Sequence, residues 1–113
     1  MKIKTSDLTG PALDWAVASS DGRRRDVRTF QAGYFDYGMY HYSTSWAQGG
    51  PLIEREGIST MFHDQGHWTA ANLKGTVSAE GPTPLIAAMR CYCCSKLGDV
   101  VDVPEELCQA QNS

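Results

Sequence analysis

No stretch of this chain approaches the run of about 18 apolar residues that a membrane span requires, so no membrane role is expected. The opening residues, Met1-Lys2-Ile3-Lys4-Thr5-Ser6-Asp7, turn polar at once and hold no apolar segment of the kind a secretory leader carries, which sets the expected location as cytosolic. Basic charge is in short supply: formal net charge is -3 and the isoelectric point is about 5.5. A general binder of phosphate backbones needs a broad basic surface, so that class is set aside. A small phosphorylated ligand is not, because a few Arg and backbone N–H groups are enough to hold one. Motifs of common catalytic chemistries are missing too. There is no GxxxxGK[ST] phosphate loop, no HExxH and no GxSxG. No internal repeat is visible.

Cysteine is present but poorly placed for cross-linking. Cys91, Cys93 and Cys94 fall within four residues and Cys108 stands apart, a weak disulfide framework for a secreted fold. Reduced thiols are expected, with Cys93 as a small core residue. Zinc would need a second cysteine pair. His63 and His67 have a helical ligand spacing, but they flank Asp64-Gln65-Gly66, which reads as a turn, so neither metal nor cofactor is expected. Catalysis is not expected either. His41 and Ser43 form no recognisable dyad, and Glu54 and Glu56 around Arg55 read as a charged strand face rather than an acid–base pair with Asp14.

What is present fits one domain. The 113 residues are 42% hydrophobic and 20% charged, ordinary values for a globular chain with a single core. A globular unit over residues 1–107 and a frayed tail over 108–113 are expected. Thr9-Gly10-Pro11 opens a helix in which Leu13, Ala16 and Val17 share a face and Asp21-Gly22 is the stop. Residues 58–62 and 68–73 read as strands about a turn at 63–67, with a third strand over 75–78 completing an antiparallel meander. Thr83 as N-cap and Pro84 at the first turn open a second helix with a stripe of Ile86, Met89, Cys93 and Leu97, widened by Leu85, Met89 and Tyr92 and closed by Gly98. A short edge strand is expected at 100–103. The predicted fold class is α+β, a small antiparallel sheet with two helices packed on one face.

Between the first helix and the meander the chain changes character. Residues 23–28 hold four Arg, read either as a solvated loop or as an anion or partner site. Phe30, Tyr34, Phe35, Tyr37, Tyr40 and Tyr42 crowd the next stretch, broken by Gly33 and Gly38, and read as an aromatic loop that packs on the core or serves for stacking. Residues 42–56 hold the densest set of ligand-type groups. The candidate binding residues are Tyr42, the hydroxyls of Ser43 and Thr44, the π face of Trp46, the amide of Gln48, the pliant backbone of Gly49 and Gly50, and the guanidinium of Arg55. A structural loop with an Arg55 ion pair is the competing reading.

Three blocks then carry a resemblance. They are Lys2-Ile3-Lys4-Thr5-Ser6-Asp7-Leu8-Thr9-Gly10-Pro11-Ala12-Leu13-Asp14-Trp15-Ala16-Val17-Ala18, then Ser43-Thr44-Ser45-Trp46-Ala47-Gln48-Gly49-Gly50-Pro51-Leu52-Ile53-Glu54-Arg55-Glu56, then Gly81-Pro82-Thr83-Pro84-Leu85-Ile86-Ala87-Ala88-Met89-Arg90-Cys91-Tyr92 with Lys96-Leu97-Gly98-Asp99. In this order they resemble the NinX-like proteins of lambdoid phages and prophages. That family is often acidic where this chain has Ser45, and residues 23–42 and the turn at Gln65 follow its pattern poorly.

The resemblance implies a small, non-enzymatic phage accessory protein working in the host cytoplasm. By analogy with other small phage proteins, an anti-defence role is expected: binding and sequestering a nucleotide-type immune signal in a pocket at a subunit interface of a homo-oligomer. Stacking rings, hydroxyls, an amide and Arg55 supply the groups such a ligand needs, and Trp46→Ala is expected to weaken it. The alternative is a protein–protein inhibitor or adaptor of a host or phage factor, served by exposed aromatics and an acidic tail.

Overall fold

The computed structural model describes residues 1–22 and 40–111, the last three as backbone only. The arginine run at 23–28 and the rings of Phe30, Tyr34, Phe35 and Tyr37 lie outside the described residues.

Strand β1 (Lys2–Lys4) leads through a 3₁₀ turn (Thr5–Asp7) into helix α1 (Gly10–Ser20). Pro11 sits in the first turn, where its fixed φ suits a helix and its missing N–H costs nothing. The predicted face of Leu13, Ala16 and Val17 is wholly buried, and Ala12 and Ala18 are buried beside it. Small side chains let α1 lie close against its neighbours.

Helix α3 (Pro84–Leu97) starts as its residues predict. Thr83 Oγ1 accepts a hydrogen bond from Ile86 N at 3.0 Å, Pro84 opens the helix and Gly98 closes it. The predicted stripe is only part of its buried surface. Leu85, Ala87, Ala88, Cys91 and Tyr92 are buried as well as Met89 and Cys93. The helix runs through the middle of the molecule, touching α1, the strands of the main sheet and the 3₁₀ turn. The burial of Leu85 and Tyr92 follows the widened stripe, and that of Ala87, Ala88 and Cys91 goes beyond it, because a helix packed on several sides is apolar around most of its girth. Cys93 is a core residue as expected, and burial pushes its thiol far above the ordinary range.

The meander forms as β2 (Ser59–His63), β3 (His67–Ala71) and β4 (Ser78–Gly81), antiparallel and in the order β2-β3-β4. Phe62 stands opposite Trp68, and Ala70 opposite Ala79. The third strand begins where the predicted one ends. Asn72 is the reason: its Oδ1 accepts from Thr76 N at 2.9 Å and Val77 N at 3.1 Å, which folds the preceding residues into a turn. Ala70, Ala79 and Gly81 are buried where the sheet meets α3.

A second, two-stranded sheet pairs β1 with β5 (Val100–Asp102), Ile3 opposite Val101, at the place expected for the edge strand. The α+β class holds, with two differences from the element reading. The described residues contain four α-helices rather than two, because residues 46–56 form helix α2 (Trp46–Glu56) and the chain ends in α4 (Glu105–Gln111). Helix α4 runs past residue 107, where the tail is expected to begin: Leu107 and Cys108 are buried, and α4 packs on α1. No helix among the described residues is long and apolar enough to cross a membrane.

Candidate functional site

Helix α2 forms against its own local signals. Gly49, Gly50 and Pro51 stand in its interior, and relative to Ala each Gly costs about 1 kcal/mol there and Pro about 3. Packing overrides them. Leu52 is buried. The backbone at Gly49 sits so close to its surroundings that a Cβ would lie 2.5 Å from the Tyr42 carbonyl oxygen and 2.6 Å from Leu85 Cδ1. Only glycine fits this approach. The expected loop over 42–56 is therefore a turn followed by a helix, and the pliant glycine backbone admits the protein's own chain rather than a ligand. Thr44 N and Ser45 N close the turn on the His41 carbonyl at 3.1 and 2.8 Å. Gly57, in the left-handed region at φ 66°, ends the helix.

One face of α2 borders a cleft of about 440 Å³. Gln48, Pro51, Leu52 and Arg55, at i, i+3, i+4 and i+7, form one wall, with Tyr40, Tyr42 and Asp21 facing them. The Tyr40 and Tyr42 rings stack nearly parallel, 6.1 Å apart. Gln48 Oε1 accepts from His41 N at 2.6 Å, which ties the helix to the tyrosine-bearing stretch. The volume lies within the range of small-molecule sites, and the lining mixes aromatic, apolar and polar groups as such sites do.

Arg55 is the hub of a charged chain across the rim. Its Nη2 lies 3.0 Å from Asp21 Oδ1 and donates to the Tyr92 hydroxyl at 3.2 Å, while Nε donates to Glu56 Oε2 at 2.9 Å. Glu56 Oε1 in turn meets Lys96 Nζ at 3.2 Å. The network links the end of α1, α2 and the last turn of α3. Hydrogen bonds to Glu56 and Asp21 hold the Arg55 guanidinium charged even more firmly than usual. Arg55, ahead of Lys96, keeps the Glu56 carboxyl below its ordinary range, and burial raises the Tyr92 hydroxyl. Among the described residues of this rim, Asp21 and Glu56 balance Arg55 and Lys96. The competing expectation of an Arg55 ion pair is met as well.

Of the eight candidate residues, the structure brings Tyr42, Gln48 and Arg55 to the cleft. Trp46 does not line it and leaves 55% of its surface exposed. Gly49 lies buried behind the wall, and Gly50 adjoins the Trp46 ring, 3.9 Å from where its Cβ would be. Thr44 is exposed. Ser43 is buried, and its N–H donates to Asp14 Oδ1 at 2.8 Å, a contact that pins the turn to α1. Burial raises the Asp14 carboxyl above its ordinary range, against the opposing pull of the Ser43 bonds. Sequence reasoning missed Asp21, Ala47, Pro51 and Leu52. The helical spacing of Ala47, Pro51 and Leu52 with Gln48 and Arg55 was legible, but the Gly-Gly-Pro signal pointed to a loop, and Asp21 joins them only through the fold, from the end of α1.

His63 and His67 face each other across the β2–β3 hairpin with rings stacked 4.9 Å apart. Cys91 Sγ turns to the Val77 carbonyl and Cys94 Sγ to Thr5 Oγ1, so the two thiols serve different contacts. Among the described residues no three His, Cys, Asp or Glu side chains gather as metal ligands would.

These observations define a small α+β protein with one aromatic-walled cleft fastened by an ion-pair network. Residues 4–96 match the family described as Bacteriophage P22, NinX, a span that covers well over half of the chain and includes α1, α2, all of α3 but its last residue, and every cleft residue named above. The protein belongs to that phage family, and is thereby a phage accessory protein. No curated protein matches the chain.

Proposed function

We propose that this phage protein is a non-enzymatic binding protein that takes up a small nucleotide-type signal, with an anti-defence role, and that the cleft beside α2 is where it binds. The observation that carries the reading is the cleft itself: about 440 Å³ walled by the Tyr40 and Tyr42 rings, with Gln48, Asp21 and Arg55 at its edge. A nucleobase matches this lining better than a phosphate does. It offers a flat π surface to tyrosine and apolar contact to Pro51 and Leu52, and its polar edge suits carboxylate and guanidinium groups. The charges of Arg55 and Lys96 are already met by Asp21 and Glu56, so phosphate groups belong toward solvent.

The test is calorimetric titration with a panel of cyclic nucleotides. Binding by at least one, weakened about 5- to 100-fold by Tyr40→Ala, is the expected result, since one aromatic–base stack is worth about 1–3 kcal/mol. Trp46→Ala should leave affinity unchanged, which revises the expectation drawn from sequence. Silence across the panel removes the nucleotide reading.

The second reading, an inhibitor or adaptor of a host or phage protein, is favoured by one observation. Trp46, Met61, Phe62 and Leu73 each leave more than half of their surface exposed. Recovery of one stoichiometric partner from host lysate, lost in Trp46→Ala, would favour it over the ligand reading.

A further inference from the structure

The main sheet has two unlike edges. At the β4 edge the Glu80 carbonyl accepts from Arg90 Nη1 at 2.8 Å, and Ala79 and Gly81 are buried. Among the described residues nothing covers the β2 edge in this way. Ser59, Thr60, Met61 and Phe62 are all exposed, Met61 at 64% and Phe62 at 56%. Soluble proteins blunt open edges with Lys, Pro, inward charges or bulges. Strand β2 reads Ser-Thr-Met-Phe-His and contains no Pro, Lys, Arg, Asp or Glu.

The ladder shows which groups face outward. Asn72 N bonds the Val77 carbonyl at 3.0 Å, so by alternation Trp68 and Ala70 turn their backbone groups toward β4, and His67, Thr69 and Ala71 turn theirs toward β2. Their partners in register are His63, Met61 and Ser59. Thr60 and Phe62 are left with N–H and C=O directed away from the sheet.

We propose that β2 pairs antiparallel with β2 of a second copy about a twofold axis through Met61, joining two three-stranded sheets into one of six strands. The parity is self-consistent: Thr60 of one protomer meets Phe62 of its partner in a hydrogen-bonded pair, and the two Met61 residues face each other between them. With no Lys, Arg, Asp or Glu on either strand, and His63 set opposite Ser59 of the other copy, self-pairing sets no like charges opposite one another, which favours a second copy over a charged foreign strand. Phe62, already edge-on to Trp68 at 5.2 Å, lies on the helix side of the sheet. In the dimer the two Phe62 rings fill the gap between the paired α3 helices. This inference goes beyond the ligand reading and does not rest on it.

Light scattering on a sizing column at tens of micromolar reads the result. The wild-type chain should elute at twice its 12.4 kDa mass. Thr60→Pro removes one outward N–H and no bond to β3, so it should elute as a folded monomer with unchanged circular dichroism. Met61→Lys sets two ammonium groups across the axis and should give the same monomer if the proline variant fails to fold. Met61→Cys should cross-link under mild oxidation and Ser59→Cys should not, because the axis places only Met61 opposite itself. A wild-type monomer, a dimer that survives both disrupting variants, or no cross-link at Met61→Cys would each overturn the proposal. Nucleotide titration of the monomeric variant reads the cleft separately.

Discussion

Helices α2 and α3 pack against each other, yet they exist for different reasons. Helix α3 carries its instructions with it: a side-chain cap at Thr83, Pro84 in the first turn, the good helix formers Leu85, Ala87, Ala88, Met89 and Arg90 in its first half, and Gly98 as a stop. Helix α2 has no side-chain cap and has Gly49, Gly50 and Pro51 inside. What holds it is the seat of Gly49 against Tyr42 and Leu85 and the burial of Leu52. Local signals nucleate a helix cheaply, whereas packing can impose one on a sequence that would not form it alone. The cleft lies on the imposed helix. A site built there inherits a wall whose geometry depends on one close contact.

The comparison can be broken at several points. Met89→Ala removes a fully buried side chain from the centre of α3 and should cost about 2–5 kcal/mol in urea melts. Next in size is Gly49→Ala, which forces a methyl onto the Tyr42 carbonyl and should cost about 1–3 kcal/mol. It should also weaken any ligand of the cleft. A neutral Gly49→Ala would mean that α2 is not held by this contact. Pro51→Ala acts the other way. It restores an N–H in the helix interior and should raise stability by roughly 1–2 kcal/mol, the helical gain less the entropy that proline removes from the unfolded chain. Thr83→Ala deletes the cap of α3 and should cost about 1 kcal/mol.

The smallest effect concerns pH. Burial raises the Asp14 carboxyl above its ordinary 3.8, so the folded state holds this proton more tightly than the unfolded chain does. The stability it contributes is present below 3.8 and is lost as pH rises through the raised value. Asp14→Asn keeps an acceptor for Ser43 N–H and removes the buried charge. Relative to wild type, its melting temperature should rise between pH 3 and pH 7. A parallel pH profile in the two proteins would show that Asp14 is better solvated than its burial implies.

Much of the architecture was legible. The helix at α3 follows from Thr83, Pro84 and Gly98, the α1 face from Leu13, Ala16 and Val17, and the hairpin from the turn between His63 and His67. The missed features share one cause. Helix α2, the late start of β4 and the burial of Leu107 and Cys108 are each set by partners remote in sequence or by a side chain acting on backbone, and composition windows register neither. The candidate site was half legible. Residue types named Tyr42, Gln48 and Arg55, but Trp46 drew attention as a ring with no packing role, and its place on α2 turns it away from the cleft.

By itself the sequence determined the α+β class, the single basic run, the absence of spanning segments, the helices that carry their own caps, and the resemblance to the phage family that the match over residues 4–96 bears out. The tertiary structure alone decided that Gly-Gly-Pro lies within a helix, that Arg55 is held between two carboxylates, and that one edge of the sheet stands open. The reason is physical. Caps, turns and periodicity act over a few residues and are written locally, whereas the Gly49–Tyr42 approach, the Arg55–Asp21 pair and the exposure of β2 depend on distances that exist only once the chain has closed on itself.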